Sequence, residues 1–198
     1  MKQEEIKLPT TMKEYKAALK RERIKERNRK NYSVILRSTF ATLLSVAAVA
    51  ILTATLLLPV LRIYGTSMSP TLVDGDIVLS VKNAHFNRQD VIAFYYNNNV
   101  LVKRVIASPG EWVDMDMEGN VTVNGVPLNE PYLIDKAVGD TDIAYPYQVP
   151  DGKYFVMGDH RSISIDSRNT AVGCVAEEQI VGKLTFRIWP FSGFGEIK

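Results

Sequence analysis

Asp90-Val-Ile-Ala-Phe-Tyr-Tyr96, Asn97-Asn98-Asn99 and Val100-Leu-Val-Lys-Arg-Val-Ile-Ala107 read in succession as strand, turn and strand. The two runs are rich in β-branched and aromatic residues, and the asparagines between them predict a hairpin with a three-residue turn. In the second run alternate side chains share a face, so Leu101, Lys103, Val105 and Ala107 point one way. Outward from this hairpin the pattern repeats. Asp76–Val81, Lys153–Met157 and Gly182–Trp189 are further strand candidates, and Val121–Val123 runs into the hairpin signal Asn124-Gly125. No amphipathic helix of ten or more residues is apparent after residue 61. Many short strands at this spacing predict a mainly β body, antiparallel and sandwich- or barrel-like. The section 111–150, richer in Asp, Asn, Pro and Tyr, reads as a smaller inserted lobe.

N-terminal to this body the pattern differs. Between Arg37 and Arg62 lie 24 uncharged residues, Ser38–Leu61, dense in Leu, Ala, Val, Ile and Thr. A helix of ~20 apolar residues crosses a ~30 Å hydrocarbon core, so 38–61 predicts a transmembrane helix. A cleaved signal peptide has a shorter n-region and an apolar stretch of only ~7–15 residues. Residues 1–37 carry 12 Lys/Arg against 5 Asp/Glu, a net of +7, whereas the remainder is acidic at −5. The basic arm belongs on the cytoplasmic side, which sends residues 62–198 outside. The arm also reads as helical, with Thr11 and Glu14 in capping-box spacing. The orientation rule accounts for its charge without nucleic acid, with contact to anionic lipid in addition. The composition excludes disordered and collagen-like classes. The single Cys174 permits no intrachain disulfide and has no metal-ligand companion.

Two histidines limit Ser-His-Asp chemistry. His85 lies in a turn-like stretch, Asn83–Asn87, and His160 follows Asp159, which in a strand would point the two side chains apart. Gly65-Thr66-Ser67-Met68-Ser69-Pro70 is a turn bounded by Gly and Pro, without the second Gly of a G-x-S-x-G elbow. A serine hydroxyl needs a base, and lysine serves in Ser-Lys variants. Lys103 is the only polar residue on its strand face. An apolar surround would bring its amine from ~10.4 towards the ~7–8 of a working base. The pattern alone leaves this open against a lysine snorkelling from an edge strand.

Five segments in order resemble the type I signal peptidases in their short, single-span bacterial form. After the span come Gly65–Thr71, Gly75–Leu79, Arg88–Phe94, Lys103-Arg-Val-Ile-Ala-Ser-Pro-Gly110 and Met157-Gly-Asp-His-Arg-Ser-Ile-Ser-Ile-Asp-Ser-Arg168. The resemblance covers about 38–190. It implies an antiparallel β-sheet catalytic body with a smaller inserted lobe, Ser67 as nucleophile and Lys103 as general base. Ser164 would hydrogen-bond the lysine, Asp166 with Arg168 and Arg104 with Asp159 would support the site, and Ile63, Met68, Leu72, Leu101 and Val102 would line the substrate pocket. It further implies secretory preproteins as substrates, cut after an A-x-A-like site, no cofactor or metal, and a single-pass place in the bacterial cell membrane with 63–72 against the outer leaflet. Two positions depart from the family. The last motif has His160, Ser162 and Ile163 where relatives carry Asn, Asp and Asn, and Gly65 stands where some relatives place an oxyanion-donating Ser. A membrane-anchored binding factor without activity and the soluble self-cleaving repressors are the competing classes. The retained Ser and Lys argue against the first and the span against the second.

Overall fold

The computed structural model describes residues 11–82 and 85–197. One helix, α1 (Met12–Leu57), runs 46 residues, about 69 Å at 1.5 Å per residue. It opens at Thr11, whose carbonyl accepts from the Tyr15 N–H at 3.0 Å. The Glu14 side chain of the expected capping box lies outside the described residues. Within α1 the hydroxyls turn inward. Thr39 donates to the Ile35 carbonyl at 3.0 Å, Thr42 to Ser38 at 2.9 Å, Ser45 to Ala41 at 2.9 Å and Thr53 to Val49 at 2.8 Å. This back-bonding satisfies polar groups that an apolar solvent would leave bare. The helix is long and apolar enough to cross a membrane, and its most apolar stretch is not buried by the protein. It ends at Leu57, short of the predicted Leu61. Pro59 cannot continue the helix, and Val60–Arg62 pair with the strand Ile77–Val81 instead.

After α1 the regular structure of the described residues is strand, apart from two single 3-10 turns at Glu177–Gln179 and Phe191–Gly193. The strands are β1 (Val60–Arg62), β2 (Ile77–Val81), β3 (Val91–Tyr96), β4 (Asn99–Ala107), β5 (Trp112–Met115), β6 (Val121–Val123), β7 (Val126–Pro127), β8 (Tyr147–Gln148), β9 (Lys153–Met157), β10 (Val175–Ala176), β11 (Ile180–Trp189) and β12 (Gly195–Glu196). The larger sheet has the order β1-β2-β11-β3-β4-β9-β10, with β12 also on β11. All its pairings are antiparallel. A four-stranded sheet, β7-β6-β5-β8, is built from the 112–148 section.

The β3–β4 hairpin closes on Tyr96↔Asn99, so its turn has two residues rather than the predicted three. Asn97 and Asn98 both take positive φ, 43° and 65°, the I′ geometry that asparagine tolerates and that matches the twist of the strands. Asn124 and Gly125 do the same between β6 and β7, at φ 53° and 75°.

The larger sheet is packed on both faces. Ile92, Phe94, Val105, Tyr154 and Val156 cluster on one side, and Ile63, Met68, Leu72, Val78, Val91 and Leu184 on the other. Lys103 pairs with Ile92 across the ladder, which puts it on the first face with Leu101 and Val105 as alternation requires. The predicted continuation to Ala107 fails. A bulge against β9 between Val105 and Ala107 breaks the alternation. Ile106 and Ala107 then both enter a third core with Val113, Met115, Val121 and Val123 of the small sheet. The small sheet is thus cemented to the end of β4 by shared apolar burial.

Candidate active site

Ser67 lies in the turn between β1 and β2. Gly65 enters this turn at φ +84°, which only glycine adopts without strain, and its N–H donates to Asp74 Oδ1 at 2.9 Å. The Leu72 N–H returns to the Met68 carbonyl at 2.9 Å. Met68 and Leu72 are 2% and 0% exposed and anchor the turn in the core, while Ser67 between Gly65 and Met68 stays half-buried. Across from it Lys103, 4% exposed, donates from Nζ to Ser67 Oγ at 2.8 Å. Burial is the largest influence on this amine and lowers its pKa from 10.5 to about 8. Asp166 and Asp159 pull it back upward, and Arg168 pushes it down. In the neutral amine a lone pair replaces one N–H, and the same contact can then accept the hydroxyl proton.

Behind the pair lie buried ion pairs. Arg104 grips Asp159 with two bonds, Nε–Oδ1 at 2.8 Å and Nη2–Oδ2 at 2.6 Å. Thr71 Oγ1 donates to Asp159 Oδ2 at 2.5 Å, and Arg104 Nη1 donates to the Gln89 carbonyl at 2.7 Å. Arg168 holds Asp166 in the same two-pronged way, at 2.8 and 2.9 Å, and donates to the carbonyls of Val138 and Arg161. Asp166 also accepts the Gly158 N–H at 2.9 Å. These bidentate pairs satisfy charges that burial would otherwise make costly.

The predicted Ser164–Lys103 hydrogen bond is not formed. The Ser164 hydroxyl is buried without a partner, and the lysine amine bonds to Ser67 instead. Ser164 nevertheless stands at the site. A Cβ on Gly158 would come 2.2 Å from Ser164 Oγ and 2.6 Å from the Ser67 carbonyl oxygen. Asp159 and His160 follow the end of β9 in a bend and are not in a strand. The His160 backbone N–H donates to the Ser67 carbonyl at 3.0 Å, whereas its ring Nδ1 is buried and unpaired. His85 is exposed.

A cleft of about 110 Å³ opens beside the pair, between residues 61–68 and the 100–103 end of β4. Of the predicted lining, Ile63, Met68, Leu101 and Val102 are in it. Leu72 is not, since it is fully buried in the core behind the turn. Leu61, Arg62, Tyr64 and Val100 line it unpredicted. Three more residues escaped the sequence reading. Arg161 pairs with Glu130, both side chains at most 2% exposed, and Tyr132 lays its ring 3.9 Å from Arg104 Cζ. Arg161 sits inside the last motif, but nothing local marks Glu130 or Tyr132, whose partners are about 30 residues away in sequence. Among the described residues no group of His, Cys, Asp or Glu is placed to hold a metal ion.

The profile of the family described as "Signal peptidase, peptidase S26" matches residues 36–189. The chain belongs to this signal peptidase family. Signal peptidase IB of Staphylococcus aureus is 40% identical over 153 residues, covering 67% of this chain and 78% of that protein. Signal peptidase I of Bacillus amyloliquefaciens is 37% identical over 149 residues, covering 69% and 76%. A crystal structure of a signal peptidase I from Enterococcus faecalis V583 aligns with a TM-score of 0.42 at 32% identity, over 51% of this chain and 97% of that one. As a member of the signal peptidase family the chain is a serine peptidase, and membership supports signal-peptide removal as its activity. The long apolar helix and the family together associate it with a membrane.

Proposed function

We propose that this protein is a single-pass membrane endopeptidase that cuts secretory preproteins after an A-x-A-like site, with Ser67 as nucleophile and Lys103 as general base. The observation that carries this reading is the 2.8 Å contact between a buried lysine amine and a serine hydroxyl at the edge of a cleft. Burial keeps a useful fraction of the amine neutral, as a base near its working pH must be. Lys103 takes the Ser67 proton as Oγ attacks the scissile carbonyl. The ammonium then protonates the departing amine, which leaves as the new N-terminus of the mature protein. The amine, neutral again, deprotonates the water that cleaves the Ser67 ester. The Ser67 backbone N–H is one donor to the oxyanion.

Substrate lies extended beside the 99–103 end of β4. There β9 does not yet pair, because the β4–β9 ladder begins at Arg104↔Met157, so the edge is open to an added strand. The cleft is well below the ~300–1,000 Å³ of sites that enclose drug-sized ligands, which suits the small side chains of an A-x-A site. Residues 1–37 form the cytoplasmic arm, α1 up to Leu57 the bilayer span, and the β body stands outside the bacterial cell membrane. The basic arm supports that orientation.

The test is cleavage of a purified preprotein in liposomes by the wild-type chain, Ser67→Ala and Lys103→Ala, with the new N-terminus sequenced. The reading expects a cut after A-x-A by wild type and none by either variant. Cleavage by Ser67→Ala would refute it.

A further inference from the structure

Ser67 and Lys103 belong to segments that no ladder joins. In the larger sheet β2 and β4 are separated by β11 and β3. The 2.8 Å contact between the two side chains is held by the packing of Met68 and Leu72 against the sheet and by polar groups that bridge the turn, β4 and the 158–168 segment. One bridge is Arg104–Asp159–Thr71, which links β4 to the segment after β9 and to the turn that carries Ser67. A second enters from the stretch between β7 and β8. Tyr132 stacks on the Arg104 guanidinium, with its ring centroid 3.9 Å from Cζ. Its hydroxyl donates to Glu130 Oε1 at 3.0 Å. Glu130 holds Arg161 with two bonds, one of them Nη1–Oε2 at 3.3 Å. Arg161 Nε donates to the Gly158 carbonyl at 3.2 Å, and Gly158 packs against the Ser67 carbonyl oxygen. The chain Arg104–Tyr132–Glu130–Arg161–Gly158 thus begins beside the base and ends against the nucleophile.

Resting on the dyad reading above, we infer that Tyr132, with Glu130, is a positioning residue that sets the Ser67–Lys103 geometry from the small-sheet section. Neither side chain lines the cleft, so their loss leaves its lining intact. A pair that merely fastened the section to the body would affect stability and leave turnover per folded molecule alone. Burial raises the Tyr132 phenol above its usual range, so it remains a neutral O–H donor at any working pH. Arg104, Arg161 and Arg168 are matched one to one by Asp159, Glu130 and Asp166, every side chain at most 2% exposed. Removing the Glu130 charge would strand a buried guanidinium and endanger the fold. Tyr132 is the gentler probe.

The experiment measures kcat and KM for preprotein cleavage by the full-length chain in detergent, scaled to folded protein by circular dichroism. The variants are Tyr132→Leu and Tyr132→Phe, with Ser67→Ala alongside. A misplacement of ~1 Å far from the chemistry can cost ~10²-fold, so Tyr132→Leu is expected to lose 10- to 100-fold in kcat with KM within about twofold. Tyr132→Phe keeps the ring on Arg104 but cuts the hydroxyl link to Glu130, and is expected to lose less than Tyr132→Leu, about 3- to 10-fold in kcat on that ~10²-fold scale. Wild-type kcat in Tyr132→Leu, or a rise confined to KM, would overturn the inference, and wild-type kcat in Tyr132→Phe would remove Glu130 from it. Should Tyr132→Leu fail to fold, Glu130→Asp decides. It shortens the arm that pulls Arg161 and is expected to lower kcat at unchanged KM, and an unchanged kcat overturns the inference. A Ser67→Ala chain that still cleaves refutes the dyad itself. A dead Ser67→Ala beside a wild-type-like Tyr132→Leu refutes only the positioning role.

Discussion

Replacing Lys103 by Met should make the β body more stable at pH 7 while abolishing cleavage. Burial lowers the amine from 10.5 to about 8. At 1.36 kcal/mol per pH unit this represents about 3 kcal/mol held against the folded state when the amine is charged. Methionine has nearly the same shape and no charge, but it forfeits the hydrogen bond to Ser67 Oγ, which is worth about 1 kcal/mol. The net gain is about 2 kcal/mol, or 4–8 °C in Tm for a body of this size. Between pH 8 and 10.5 the unfolded chain binds more protons at this lysine than the folded one, so wild-type stability rises with pH across that window. The penalty is complete below pH 8 and gone above 10.5. The advantage of Lys103→Met must therefore shrink through the window and end slightly negative. Thermal unfolding of both chains in detergent, followed by circular dichroism from pH 6 to 10.5, reads this directly. A pH-independent difference, or a less stable Lys103→Met at pH 7, would refute the burial argument.

Two further outcomes follow from the packing behind the dyad. Gly158→Ala would bring a Cβ 2.2 Å from Ser164 Oγ and 2.6 Å from the Ser67 carbonyl oxygen. Turnover per folded molecule should drop about 100-fold, the scale of an ångström's displacement at a reacting centre. Asp166→Asn leaves Arg168 as a buried, unmatched cation and should lower stability by about 3–5 kcal/mol in a denaturation series. Asp166 also raises the Lys103 pKa, so the folded fraction should show the acid limb of its rate profile moved to lower pH.

Turn chemistry made much of the fold legible. Paired asparagines and Asn124-Gly125 force short-range hairpins, and β3, β4, β6 and β9 lie close to where the composition puts them. β7 is the return arm that the Asn124-Gly125 turn implies, whereas the strands that were missed are β1, β5, β8, β10 and β12, each two to four residues long. Their reason for being strands is a partner elsewhere, and no local period announces it. The helix stops four residues before the predicted end of the apolar stretch, because Pro59 breaks it and the β1–β2 ladder takes up Val60–Arg62. At the site, alternation along β4 placed Lys103 correctly on a face of apolar side chains, but it could not say that Arg104 on the other face would be equally buried and bound to Asp159. The resemblance put Leu72 in the substrate pocket, yet the returning turn points it into the core. Glu130 and Tyr132 gave no signal, because ion pairing and stacking over about 30 residues leave no mark on composition.

The most direct test of a buried lysine as the base is the pH dependence of kcat/KM for preprotein cleavage, which reports the free enzyme. A single ionisation at about 8 is predicted, with activity falling tenfold per unit below it and the profile unmoved by His160→Ala. A midpoint near 6.5, the usual range of an imidazole, that disappears in His160→Ala would contradict it and give the proton to His160.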